Sequence, residues 1–222
     1  MNFFGHALIA QRNEATRGAV RAEFVLGSML PDFASMLRTR LPSTTDAAIQ
    51  AGLRFHHVTD DAFHGSRAFL EFSGQASSFL SGHGLSRGSA RAVAHVGVEL
   101  LLDAALVDDR ANEAYLSAIE CALTLRVSDH IHWLDTDAKI RFTHLCHSLA
   151  KRGAVRADTS ADLIAERLRY ILADRPRLAL DDEGQSVVRG WAMIARPAIV
   201  SGAQELLREV ESRLELSIHL ER

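Results

Sequence analysis

The chain has 222 residues, of which 47% are hydrophobic and 24% charged, with a formal net charge of -3. That composition suits a folded domain with its own core rather than a disordered chain, and the lack of a basic excess argues against a nucleic-acid partner. Two cysteines, Cys121 and Cys146, make no disulfide framework and point to a reducing, cytoplasmic setting.

Ala, Leu, Arg and Glu dominate, and no window alternates apolar and polar residues convincingly, so the expected fold is all-α: a helical bundle forming one domain over residues 1–222. The N-terminal segment is apolar but lacks the basic stretch and cleavage site of a signal peptide. The first helix is expected to start near His6 and the second to cover about Arg21–Leu30, with Pro31 and Pro42 bracketing a short segment. A long helix is expected from about Thr45 to Phe72, with Ser43, Thr44 and Asp46 as capping residues. Gly74, Gly82, Gly84 and Gly88 then read as a loop. Further helices are expected over about Ser89–Leu106, Glu113–Val127, Asp129–Lys151, Ser160–Ala173 and Glu183–Glu215, with a turn at Asp108–Asn112. The last helix carries Leu206, Leu207, Val210 and Leu214 at helical spacing, and Pro197 is expected to kink or restart it. Arg152–Thr159 is the one stretch resembling a linker. His95, Glu99 and Asp103 interrupt the longest apolar run, which stays short of the roughly 20 residues of a membrane span.

Two stretches concentrate residues able to do chemistry. His56, Asp60 and His64 recur every four residues and share one helix face, where imidazole and carboxylate heads can hold a divalent cation. His57 and Asp61 repeat the pattern on the adjacent face. A solvated polar stripe with surface ion pairs is the alternative. His95, Glu99 and Asp103 have the same spacing in an apolar setting, where a carboxylate must be paired, hydrogen-bonded or metal-bound; here the alternative is a buried polar network that orients the core. His6 and Asp32 each place one polar group among apolar neighbours. A helix-terminal surface position suits His6 and a capping role suits Asp32 equally well. His130 with His132, and His144 with His147 at i,i+3 spacing, are pairs either of which could ligate a metal, although exposed or core-satisfied histidines are the simpler reading; the cysteines lack zinc-finger spacing. No nucleophile-elbow, phosphate-loop or dinucleotide-binding motif is present.

Taken in order, these stretches resemble the acyl-carrier-protein phosphodiesterases. Asn2-Phe3-Phe4-Gly5-His6 stands where that family has Asn-Phe-Leu-Ala-His, and Gly27-Ser28-Met29-Leu30-Pro31-Asp32-Phe33 where it has Gly-Asn-Leu-Leu-x-Asp-Phe. Gly52, His56 and Asp60 match its central motif, Glu99 to Leu106 stands in place of Asp-x-x-x-Asp-His-Phe-Leu, and Arg175-Pro176-Arg177-Leu178 matches an Arg-Pro-Arg-Leu stretch. The chain departs from the family at His57 (Arg in the motif), at Phe63-His64 (Thr-Asp), at Glu99 (Asp) and at Ala104 (His).

The resemblance implies an HD-like, all-α metal phosphohydrolase with His6, Asp32, His56, Asp60, Glu99 and Asp103 as the metal pocket. It also implies removal of the 4′-phosphopantetheine arm from acyl carrier protein with a divalent metal, manganese first and iron or zinc as alternatives. His56, His95 and Asp60 are then the candidate catalytic groups, and Arg54 and Arg177 the candidate phosphate contacts. The alternatives are another phosphate ester as substrate, or a helical interaction protein with a degenerate pocket.

Overall fold

Capping side chains mark the start of most helices in this computed structural model, which describes residues 1–157 and 159–220, with side chains described as far as residue 216. The described residues form α1 (Phe3–Ala15), α2 (Ala22–Met36), α3 (Ala47–His64), α4 (Arg67–Gly82), α5 (Arg87–Leu106), α6 (Asp109–Leu123), α7 (Leu125–Ser128), α8 (Thr136–Arg152), α9 (Ala161–Leu172) and α10 (Asp182–Leu220). Asn2, Ser66, Asp108, Asp135 and Ser160 each accept a backbone N–H from the first turn of the helix they precede, and Asp46 accepts from Ala48 and Ile49 at the start of α3. Helix takes up 77% of the structure, so the chain is all-α. The only strands among the described residues are β1 (Ser43–Thr44) and β2 (Ile131–His132), a two-residue antiparallel pair with Ser43 opposite His132 and Thr44 opposite Ile131. No helix among the described residues is long and apolar enough to cross a membrane.

Several boundaries differ from the sequence expectation. The helix expected over Thr45–Phe72 is two helices. Ser66 takes an extended backbone (φ -67°, ψ 142°) and caps Phe69, while the Glu209 carboxylate accepts the backbone N–H groups of Arg67 at 2.8 Å and Ala68 at 3.4 Å. The glycine-rich loop shrinks to a few residues, because α4 passes straight through Gly74 and closes only at Gly82. Gly84, at φ +98°, reverses the chain there, with Leu85 N donating to Leu80 O at 3.1 Å and Gly84 N to Ser81 O at 3.3 Å. Neither Pro31 nor Pro197 interrupts its helix. The helix expected from Asp129 starts at Thr136, since the preceding residues include β2. The turn expected at Asp108–Asn112 is the cap and first turn of α6.

The helices group into two compact units. One comprises Asn2–Asp60 and Val107–Val155, and the other Met1, Asp61–Leu106 and Arg156–Arg222, so that a boundary passes through the stretch read as a linker. Asp158, within that stretch, lies outside the described residues.

In the first unit, α1 packs on α2 and α6, α2 on α6, and α6 on α8. Its core is aromatic-rich: Phe3 lies 5.5 Å from Phe33 and 6.0 Å from Tyr115, Phe4 is edge-on to Tyr115, and Phe33 meets Phe142. Helices α2 and α3 approach backbone to backbone at two glycines. A Cβ on Gly27 would stand 2.2 Å from Ile49 O, and one on Gly52 would stand 2.1 Å from Phe24 O.

In the second unit α4, α5, α9 and α10 pack on one another. The Trp191 ring fills the space that a Cβ on Gly97 would need, and Phe72 does the same at Gly202. Leu80, Val98, Leu168, Val188 and Val210 are fully buried, and burial of such side chains supplies about 1.5–3 kcal/mol each.

Candidate metal centres

The Asn2 cap starts α1 one residue later and so puts His6 in the first helical turn, where its ring is wholly buried. The Gly27–Gly52 contact brings α3 close enough for His56, one turn beyond Gly52, to reach the residue after Gly27: His56 Nδ1–H donates to the Ser28 carbonyl at 2.8 Å. His6 and His56 then stack with ring centroids 3.9 Å apart. Thr59 fixes the second ring. Its hydroxyl proton turns to the Phe55 and His56 carbonyls at 3.0 and 2.8 Å, so its oxygen accepts Nδ1–H of His6 at 3.0 Å.

Both imidazoles are therefore held with Nδ1 as the donor, which leaves Nε2 of each with a lone pair. His6 Nε2 faces Asp60 Oδ1 at 3.6 Å and Asp32 Oδ2 at 3.9 Å. Burial pushes the His6 imidazole from its ordinary 6.5 down to about 3. Burial likewise lowers His56, against the opposing effect of the Ser28 hydrogen bond. Near neutral pH neither ring carries an extra proton, and His6 Nε2, buried, makes no hydrogen bond among the described residues. A lone pair aimed at two carboxylates is repulsive unless a cation stands between them. Ligand atoms of His6, His56 and Asp60 all lie within 4.8 Å of one another. Two neutral imidazoles and the Asp60 carboxylate, with Asp32 beside them, form a group that could hold a metal ion, and Ser28 O and Thr59 Oγ1 orient the rings as outer partners of metal-binding histidines do.

The second group lies in the other unit. His64, His95 and Glu99 also present ligand atoms within 4.8 Å of one another. His95 Nε2 is 3.1 Å and His64 Nε2 3.7 Å from Glu99 Oε1, and the two rings stack at 4.6 Å. The α-amino group of Met1 lies 2.9 Å from Glu99 Oε1 and 2.7 Å from His64 Nε2. Burial works to raise the Glu99 carboxyl, but the His95 hydrogen bond and the Met1 ammonium outweigh it and hold the group below its ordinary value.

The residues singled out in the sequence thus fall into separate sets. His6, His56 and Asp60 come together with Asp32 beside them, whereas Glu99 and His95 belong to the second group. His6 is not a surface residue and Asp32 is not a cap; Asp32 lies inside α2. The stripe of His56, Asp60 and His64 along α3 is divided, its last member joining Glu99. Asp103 enters neither group, Ala104 is buried, and Arg54 and Arg177 are exposed. His57 and Asp61 are exposed as well, and His130 is bonded to Thr45 at 2.7 Å. Sequence reasoning missed the roles of Thr59 and Ser28. The signal for Thr59 was its place three residues after His56; Ser28 carried none, since it acts through its backbone carbonyl. No family model, no curated protein and no solved structure matches this chain.

Proposed function

We propose that the chain is a divalent-metal-dependent phosphodiester hydrolase in which His6, Asp32, His56 and Asp60 hold the ion. The observation that carries this reading is the buried, unbonded Nε2 of His6 facing two carboxylates. A divalent ion bound there supplies a lowered pKa for water and charge neutralisation for the phosphate. His56, with Nδ1–H committed to Ser28 O and its pKa lowered by burial, serves as a neutral ligand rather than as the acid. Asp60, whose side chain at 39% exposure is more open than that of Asp32 at 26%, would take up the proton of the attacking water and return it to the leaving oxygen as the phosphorus–oxygen bond to it breaks. By its resemblance to the acyl-carrier-protein phosphodiesterases, the substrate is holo-acyl carrier protein, cut at its serine phosphodiester.

A different phosphate ester is the second reading, and one contact favours it. An acidic carrier protein calls for a basic surface, yet Arg21, one of the arginines near the N-terminus, is tied to the buried Glu14 at 2.6 and 3.0 Å.

The test is elemental analysis of the purified chain and of Asp60→Ala, followed by incubation of the manganese-loaded protein with holo-acyl carrier protein and with bis(p-nitrophenyl) phosphate. Bound metal that Asp60→Ala removes, with loss of phosphopantetheine seen by mass spectrometry, supports the main reading. Cleavage of the simple diester alone supports the second. A chain that takes up no manganese, iron or zinc, or whose metal content Asp60→Ala leaves unchanged, refutes both.

A further inference from the structure

We infer that His64, His95 and Glu99 form a second divalent-metal site, of the zinc type, independent of the ion held by His6, His56 and Asp60. All three ligands and the residues that brace them belong to one compact unit. Ligand atoms 2.0–2.1 Å from a tetrahedral zinc stand about 3.3 Å apart. His95 Nε2 and His64 Nε2 are 3.1 and 3.7 Å from Glu99 Oε1, on either side of that value.

The rings are braced for ligation. Phe69 sets its ring edge-on to both imidazoles, 4.8 Å from His64 and 5.5 Å from His95, and Phe63 packs on His64 and Phe69. The rings are stacked within 16° of parallel, with their Nε2 atoms at one carboxylate oxygen. Glu99 is buried on the apolar helix α5, where a carboxylate needs a full complement of positive or hydrogen-bonding partners. A cationic nitrogen, the Met1 amino group, already stands against Glu99 and His64, so the position accepts positive charge. Zinc entering there takes the ammonium's place at both Glu99 Oε1 and His64 Nε2, and His95 carries its proton on Nδ1 instead of Nε2. His95 is half exposed, which leaves a solvent path and an open fourth position. Two histidines, one carboxylate and an open position make a catalytic-type zinc set rather than a closed structural one.

The experiment is zinc titration of the chelator-treated full chain by calorimetry, repeated with cobalt to read the d–d spectrum. The expected stoichiometry is two ions. His95→Ala and Glu99→Gln each lose one ion and the tetrahedral cobalt bands while retaining the other ion; His56→Ala loses the other ion and keeps those bands. The half-exposed His95 is the safer variant for folding, and circular dichroism confirms that each variant is folded. Unchanged stoichiometry and spectrum in folded His95→Ala would overturn the inference and leave the Met1 ammonium as the group's cation. Because the two ions are lost by different substitutions, failure here does not touch the hydrolase reading.

Discussion

Gly52→Ala tests whether the approach of α2 and α3 builds the His6–His56–Asp60 group proposed to hold a metal ion. The added Cβ would stand 2.1 Å from Phe24 O, 2.8 Å from Ser28 N and 2.9 Å from Gly27 Cα, all backbone atoms below the 3.0 Å that real contacts respect. Neither helix can relieve this by a rotamer change, so they must part by about 1 Å in a closely packed interior. The His56–Ser28 hydrogen bond, now 2.8 Å, then stretches to about 3.8 Å and is lost. Overpacking costs about 1–3 kcal/mol, and the unpaired imidazole donor costs about 1–3 kcal/mol more. Alanine's better helix propensity returns about 1 kcal/mol. The expected net effect is a destabilisation of about 3 kcal/mol, with metal affinity down roughly 10–100-fold through the loosened His56. Urea melts of the apoprotein measure the first quantity and calorimetric metal titration the second. Gly74→Ala is the control: no atom lies within 4 Å of its Cβ position in α4, so it should stabilise by about 0.5–1 kcal/mol. A Gly52→Ala protein as stable as the parent, or more so, would refute the reasoning, since helix propensity alone predicts that sign.

Two further outcomes follow. Thr59→Val removes the acceptor of His6 Nδ1–H while conserving shape, and should weaken metal binding about 10–100-fold with the fold intact; calorimetry on the purified variant reads this, and unchanged affinity would mean that the Thr59 contact does not orient the ring. Glu209 links α10 to the start of α4: burial works to raise its carboxyl, but the N–H groups of Arg67 and Ala68, with Arg213, lower it below its ordinary 4.5. A carboxyl whose folded pKa is depressed contributes stability above its unfolded pKa and loses it as pH falls through the folded one. The stability difference between the parent and Glu209→Gln should therefore be full at pH 7 and shrink below about pH 4.5. Urea melts across that range check it, and a difference that does not shrink as the pH falls would count against the cap.

The all-α character was legible in the sequence because helix is a local property. Ala-, Leu-, Arg- and Glu-rich stretches carry it, and Asp46, read as a cap, does cap the helix it precedes. The four-residue spacing of His56 and Asp60, and of His95 and Glu99, was equally visible, since one helical turn sets it. Tertiary structure decided the rest. The break at Ser66 is reinforced by Glu209, more than 140 residues away in the chain. Gly74 stays helical because α4 is held by packing on α5 and α10, which overrides a weak local preference. The partners of each imidazole depend on which helices meet. His6 finds Thr59 and His56 because α1 packs on α2 while two glycines let α3 touch α2, and His64 turns to Glu99 on a helix that begins more than 20 residues later. Spacing along a helix names the face on which a side chain stands; only the packing of other helices against that face determines what it coordinates.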